Sequence, residues 1–247
     1  MTSPETAIPH PASAEAAPTV RGRAGRTTGA FLVLVAGALA LAGCGGGDRP
    51  VTQEKVRGAL VETGDIPGQN WSAGEANEVA PEREDTSVSE FLNQSEGVSE
   101  ACRNALAQFN AQLGKPSAYA QLTFSQPSES AIGGRELSVT VRGYQENFPE
   151  LPDPQKVVGT CPSFDLSREG QQLSVKLRKP TYETKGSSAL GMDITMGTEK
   201  ISLDMVRAPQ GGNLVSLSLT GVDEKANKEV LEKVLTKQLE KVKSSAG

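Results

Sequence analysis

The 247-residue sequence has one histidine, His10, and that residue falls in a leader-like N-terminal stretch. The chain that would follow the leader has no imidazole. Ser-His-Asp and Cys-His catalysis are therefore excluded, as is zinc chemistry that uses histidine ligands. Aromatic residues make up only 4% and hydrophobic residues 36% of the chain, which leaves little apolar material beyond what an ordinary core needs. A carrier enclosing a large apolar cavity would need more. No apolar run reaches the roughly 20 residues that a membrane-crossing helix requires. Basic residues are in deficit, 25 against 30 acidic ones, so the charge offers no reason to bind nucleic acid. No cofactor or metal motif is present.

What the chain does have begins near its N-terminus. Residues 21–26 read RGRAGR, and residues 29–43 read GAFLVLVAGALALAG, a short apolar run ending in small residues. A basic flank before a short apolar stretch has the anatomy of a secretory signal peptide. Leu41-Ala42-Gly43-Cys44 at its end resembles the lipobox of bacterial lipoproteins, in which the cysteine is lipidated and becomes the new N-terminus. Residues 1–43 are thus expected to be removed, and residues 44–51 to form a flexible Gly-rich tether. Residues 52–247 are expected to form a single α+β domain on the outer face of the cell membrane. The leader's first 20 residues make an unusually long n-region, which marks Val20 as an alternative start. Removing residues 1–43 removes three basic and two acidic residues, leaving 22 against 28 and a net charge of −6.

Beyond Cys44, two cysteines remain. Cys102 and Cys161 are an even pair in an oxidising compartment, so a disulfide is expected, with two buried free thiols as the alternative. Helical spacing recurs over residues 52–64, from a Thr52 cap to a Gly64 stop, and over GVSEACRNALAQFNAQLGK, residues 97–115. A third helix closes the chain, with Val222, Ala226, Val230, Val234, Leu235, Leu239 and Val242 on one stripe and a Glu224–Lys228 pair on its surface.

Period-two alternation marks strands at 118–126, 135–144, 172–180, 200–208 and 213–221. In the fourth, Ile201, Leu203 and Met205 read as the buried face and Ser202 and Asp204 as the wet one. FPELPDPQKVVGTCPSF, residues 148–164, reads as too proline-rich for regular structure. The expected architecture is an antiparallel sheet of five or six strands with helices packed on one face, a two-layer sandwich.

These elements, with ALVETGDIPGQNWS, Cys102 within a helix, VVGTCPSF and the closing GGNLVSLSLTGVDEKANKEVLEKVLTKQLEKV, resemble the extracellular sensor domain of PknH-type actinobacterial receptor kinases and its lipoprotein relatives. The resemblance spans most of residues 52–243. It implies an antiparallel sheet with helices packed on it and a cleft that receives a ligand. The chain departs from the kinase sensors in offering one cysteine pair where they have two, and it carries neither a kinase domain nor a spanning helix.

The expected function is non-catalytic ligand binding or sensing at the cell envelope. Thr123, Thr140, Arg142, Lys176, Arg178 and Asp204 are expected to project together from the wet face and hold an anionic small molecule by charge-assisted hydrogen bonds. The other expected partners are the membrane, through the N-terminal lipid, and another envelope protein. Trp71 and Tyr144 read as partial core. An envelope lipid carrier and a structural or protein-interaction lipoprotein are the alternatives. Paired carboxylates such as Glu146 and Glu150 suit glycosidase chemistry, but a proline-rich loop is a poor rigid mount for them.

Overall fold

A computed structural model describes residues 49–81, 97–109, 113–127, 134–146, 148–168, 171–221 and 223–246. Cys44 and the leader lie outside the described residues.

The five alternating segments form strands, and three more join them. In chain order these are β1 (Ser72–Ala73), β2 (Ala118–Gln126), β3 (Arg135–Gly143), β4 (Ser163–Arg168), β5 (Gln171–Arg178), β6 (Ser188–Met196), β7 (Glu199–Gln210) and β8 (Asn213–Gly221). They make one eight-stranded sheet in the order β1-β2-β3-β8-β7-β6-β5-β4, antiparallel throughout. The count exceeds the expected five or six for a physical reason. Ser188 to Met192 in β6 are all buried, and a strand covered on both faces shows no alternation to read.

Among the described residues four α-helices accompany the sheet: α1 (Gln53–Val56), α2 (Glu100–Phe109), α3 (Pro154–Thr160) and α4 (Glu224–Ser245). The expected helix over 52–64 is only one turn of α-helix followed by 3-10 turns at Arg57–Ala59 and Thr63–Asp65. The proline-rich stretch read as irregular contains α3. Its Asp153 side chain caps the Gln155 N–H at 2.9 Å, and Pro154 takes the first helical position. Proline fits there because that N–H would have no helical partner.

The helices do not share one face, which corrects the two-layer expectation. Leu231, Val234, Leu235 and Val242 of α4 pack with Phe124, Leu137, Leu217 and Val206 of β2, β3, β8 and β7. Cys102, Leu106 and Phe109 of α2 and Val157 of α3 pack with Leu177, Leu190 and Met192 of β5 and β6. Cross-strand register puts these two sheet patches on opposite faces. Leu122, Val139, Leu217, Val206 and Ala189 form one row, while Thr123, Ser138, Ser218, Met205 and Leu190 form the next row on the other side. Each face is thus apolar over one half of the sheet and polar over the other.

Cys102 and Cys161 are disulfide-bonded and join α2 to the end of α3, at a sequence separation of 59. Closing such a loop stabilises the fold by about 4 kcal/mol on the chain-entropy account. Two fully buried amides tie the ends of the chain down. Gln238 of α4 accepts the Val61 N–H at 2.9 Å and donates to the Ala59 carbonyl. Asn213 accepts the Val51 N–H at 2.8 Å and donates to the Arg49 carbonyl at 3.2 Å. Arg49 to Val51, which composition assigned to the tether, are therefore held by the domain.

Candidate functional site

The six residues expected to act together fall into two groups on opposite faces. Lys176, Arg178 and Asp204 lie on the α4 side of the sheet, over β5–β7. Thr123, Thr140 and Arg142 lie on the α2 side, over β2 and β3. One cross-strand row shows how a single face changes character: Phe124, Leu137, Leu219, Asp204, Gly191 and Arg178. It is apolar where α4 covers it and charged where α4 begins.

Arg178 and Asp204 form a buried ion pair. Arg178 Nη1 and Nη2 lie 2.7 and 3.1 Å from the two Asp204 carboxylate oxygens, and Nε lies 2.9 Å from Asp193. Nη2 also donates to Ser202 at 2.5 Å, and Glu224 of α4 approaches Nη1 at 3.1 Å. The Asp204 side chain is 1% exposed and that of Arg178 is 14%. Asn227 completes the arrangement, donating to Asp204 at 3.2 Å and to the Ser202 carbonyl at 3.0 Å.

Burial works against the guanidinium's charge, but the hydrogen bonds and charges of Asp204 and Asp193 outweigh it and raise its pKa. Gly191 makes the room, since a Cβ there would sit 2.5 Å from Arg178 Nη1. The nearby Tyr182 hydroxyl is buried and has no hydrogen-bond partner among the described residues. Burial, then the charge of Asp204, holds its pKa well above the ordinary tyrosine value.

Beside this pair runs a groove of about 600 Å3. Asp165, Asp193, Asp223 and Glu224 line it, against Lys176 and Lys200. An excess of carboxylates, with Arg178 engaged internally, does not suit an anion. Arg178 and Asp204, expected to act with the other four residues on one ligand, are bonded to each other here. Asp204 is a buried counter-ion, and its place on the wet parity of β7 did not expose it because α4 and Asn227 lie over it.

The other group has different surroundings. Three adjacent cross-strand rows on the α2 side read Thr123–Ser138–Ser218, Gln121–Thr140–Ser216 and Tyr119–Arg142–Leu214. The next row on the same side, Ser125–Glu136–Thr220, carries a carboxylate. The Arg142 guanidinium stacks 5.5 Å over the Tyr119 ring and donates to Ser216 Oγ at 3.4 Å. On the far side of Ser216, in the same row, stands Arg207, which donates to the Phe109 carbonyl at 2.7 Å and lies 5.1 Å over its ring. Tyr119 Oη donates to Gln121 Oε1 at 2.7 Å, whose amide donates to Ser138 Oγ at 2.9 Å. Thr140 is buried at 7% exposure.

Sequence reasoning missed Arg207 and Tyr119. The signal was there for Arg207, which follows Ile201, Leu203 and Met205 at the same parity and marks where that side of β7 turns from apolar to charged.

Trp71 and Tyr144 are buried, as read. Glu146 and Glu150 are exposed. Among the described residues no cluster of three or more acidic, cysteine or histidine side chains could hold a metal, and no helix is long and apolar enough to cross a membrane.

Among solved structures, the chain is similar to the extracellular domain of PknH from Mycobacterium tuberculosis. The TM-score is 0.53 at 11% identity, over 80% of this chain and 100% of that one. The two share a fold. The chain also has 14% identity to an uncharacterised protein (Rv0999 ortholog) from Mycobacterium smegmatis, over 70% of this chain and 90% of that one, at a TM-score of 0.41. No family model matches the chain, and no curated protein does.

Proposed function

We propose that this chain is a lipid-anchored, extracytoplasmic, non-catalytic module that binds or senses a small anionic, hydroxyl-rich ligand on the polar half-face around Arg142. The observation that carries the reading is the placement of Arg142 and Arg207 on either side of Ser216, beside the hydroxyls and amide of Thr123, Ser138, Ser218, Gln121 and Thr140. Guanidinium groups form strong charge-assisted bonds to phosphate and carboxylate, and the surrounding hydroxyls would add neutral hydrogen bonds. The shared fold with the extracellular domain of PknH supports a sensing role, and the Leu41–Cys44 motif supports the anchor.

The lipid-carrier alternative asks for a large apolar cavity. The described grooves, of about 820, 740 and 600 Å3, each carry charged side chains in their walls.

Titration calorimetry with phosphate- and carboxylate-bearing envelope molecules tests the site. Arg142→Ala is expected to weaken binding at least tenfold, in keeping with the loss of a charge-assisted contact. Lys176→Ala, on the opposite face, is expected to leave it unchanged. Equal effects of the two substitutions would sink the assignment.

A further inference from the structure

The lipidation motif and the first held residue of the domain are close in sequence. Four residues, Gly45 to Asp48, separate Cys44 from Arg49. Asn213 grips the Arg49 carbonyl and the Val51 N–H. Pro50 lies against Gly212, where a Cβ would meet it at 3.0 Å. The five steps from Cys44 to Arg49 reach at most about 18 Å. β8 alone, nine residues long, spans about 30 Å. A chain anchored at Cys44 therefore keeps one particular end of the sheet near the bilayer, the end where β2 and β8 start and β3 and β7 finish.

Among the described residues two large apolar side chains stay exposed, Val79 at 75% and Phe148 at 39%, and both belong to that end. Phe148 meets Tyr144 edge-on at 5.6 Å, and the Tyr144 N–H donates to the Gly212 carbonyl at 2.8 Å. Val79 follows Glu78, whose carbonyl accepts Gln53 Nε2. The same amide reaches the Tyr119 carbonyl, one residue into β2. Two exposed apolar side chains are ordinary on a protein surface, but here both stand beside the point where the chain leaves the domain toward its anchor. Aromatic side chains settle readily at the headgroup level of a bilayer.

We infer that this end is a membrane-docking surface, with Phe148 and Val79 seated in the lipid interface and the domain held upright with the β6–β7 turn pointing away. The inference rests on the anchor reading of Cys44 and adds to it an orientation and two contact residues.

The test uses the chain from Cys44 onward. Its one thiol outside the disulfide is coupled to a maleimide-bearing lipid in vesicles of phosphatidylcholine brominated near the top of the acyl chains. Trp71 is buried and present in every variant, so its signal is a constant background. Phe148→Trp and Val79→Trp are expected to show bromine quenching at least threefold above that of Thr198→Trp in the β6–β7 turn. Inserting 20 Gly/Ser residues after Asp48 is expected to reduce that ratio. Equal quenching at positions 148, 79 and 198 would overturn the inference. So would a concentration-dependent blue shift of the position-148 variant without vesicles, which would assign the patch to a second copy of the chain. Mass spectrometry of the Cys44 peptide from cells tests acylation separately, so failure of the anchor and failure of the orientation are read from different experiments.

Discussion

The two halves of the sheet obey the same alternation with opposite sign. Over β2, β3 and β8 the side facing α4 is apolar and the other carries Thr123, Thr140 and Arg142. Over β4, β5 and β6 the side facing α2 and α3 is apolar, and the α4 side carries Lys176, Arg178 and Asp193. β7 is where they meet: Val206 and Ala208 belong to the first core, while Leu203 and Met205 pack against the second. The comparison teaches that alternation reports parity along a strand and not which side of the sheet is covered. It also separates two kinds of polar residue. On the α4 side the charges neutralise one another at a buried seam; on the α2 side Arg142 and Arg207 border rows of hydroxyls and amides.

That contrast breaks most severely if the seam loses its counter-ion. Asp204→Ala leaves Arg178 buried without its bidentate partner and is expected to lower unfolding stability by about 3–5 kcal/mol in urea denaturation. Joint replacement by Met at 178 and Leu at 204 is expected to restore much of that loss, since an apolar pair removes the stranded charge. If Asp204→Ala changed stability no more than an exposed substitution does, the seam would not be the structural element described here.

The disulfide serves only the α2–α3 half. Replacing both Cys102 and Cys161 by Ala is expected to cost about 2–4 kcal/mol and to raise hydrogen exchange in α2 and α3 ahead of β2, β3 and β8. Uniform loss of protection would show that the halves unfold as one. Gly191→Ala drives a methyl into the Arg178 side chain, and a shift of that packed group is expected to cost about 1–3 kcal/mol by the same denaturation measurement.

The smallest effect concerns Tyr182. Its folded-state pKa is raised above the ordinary value of 10.0 by burial and by Asp204. From about pH 10 upward the unfolded chain loses the phenolic proton while the folded chain keeps it, so stability falls as pH rises through this window. Tyr182→Phe is expected to flatten that alkaline slope and to leave neutral-pH stability within about 1 kcal/mol, because the hydroxyl has no partner to lose. An unchanged slope would place the titration elsewhere.

Much of the sheet was legible in advance because half-buried antiparallel strands write their parity into the sequence. β2, β3, β5, β7 and β8 all sit where Leu, Val and Phe alternate with Ser, Thr and Lys. β6 was not legible, since Ser188–Met192 are buried on both sides. α3 was hidden by prolines that in fact mark its start. The α4 stripe was legible in outline, yet Asn227 and Gln238 are as buried as its valines. Each hydrogen-bonds to groups far away in sequence, which no helical period reveals. Of the candidate site residues, Thr123, Thr140 and Arg142 share a face. Arg178 and Asp204 do not join them, and Glu224 pairs with Arg178 rather than with Lys228, which pairs with Glu232.

The sequence by itself determined the cysteine pairing and the positions of five strands and the last helix. These depend on composition and on periodicities of two and 3.6 residues, which are local. Which polar residues meet was decided only by tertiary structure. The sides on which α4, α2 and α3 settle turn one stretch of wet-parity residues into a buried ion pair and gather another around Arg142, and that choice depends on contacts between segments that no local period links.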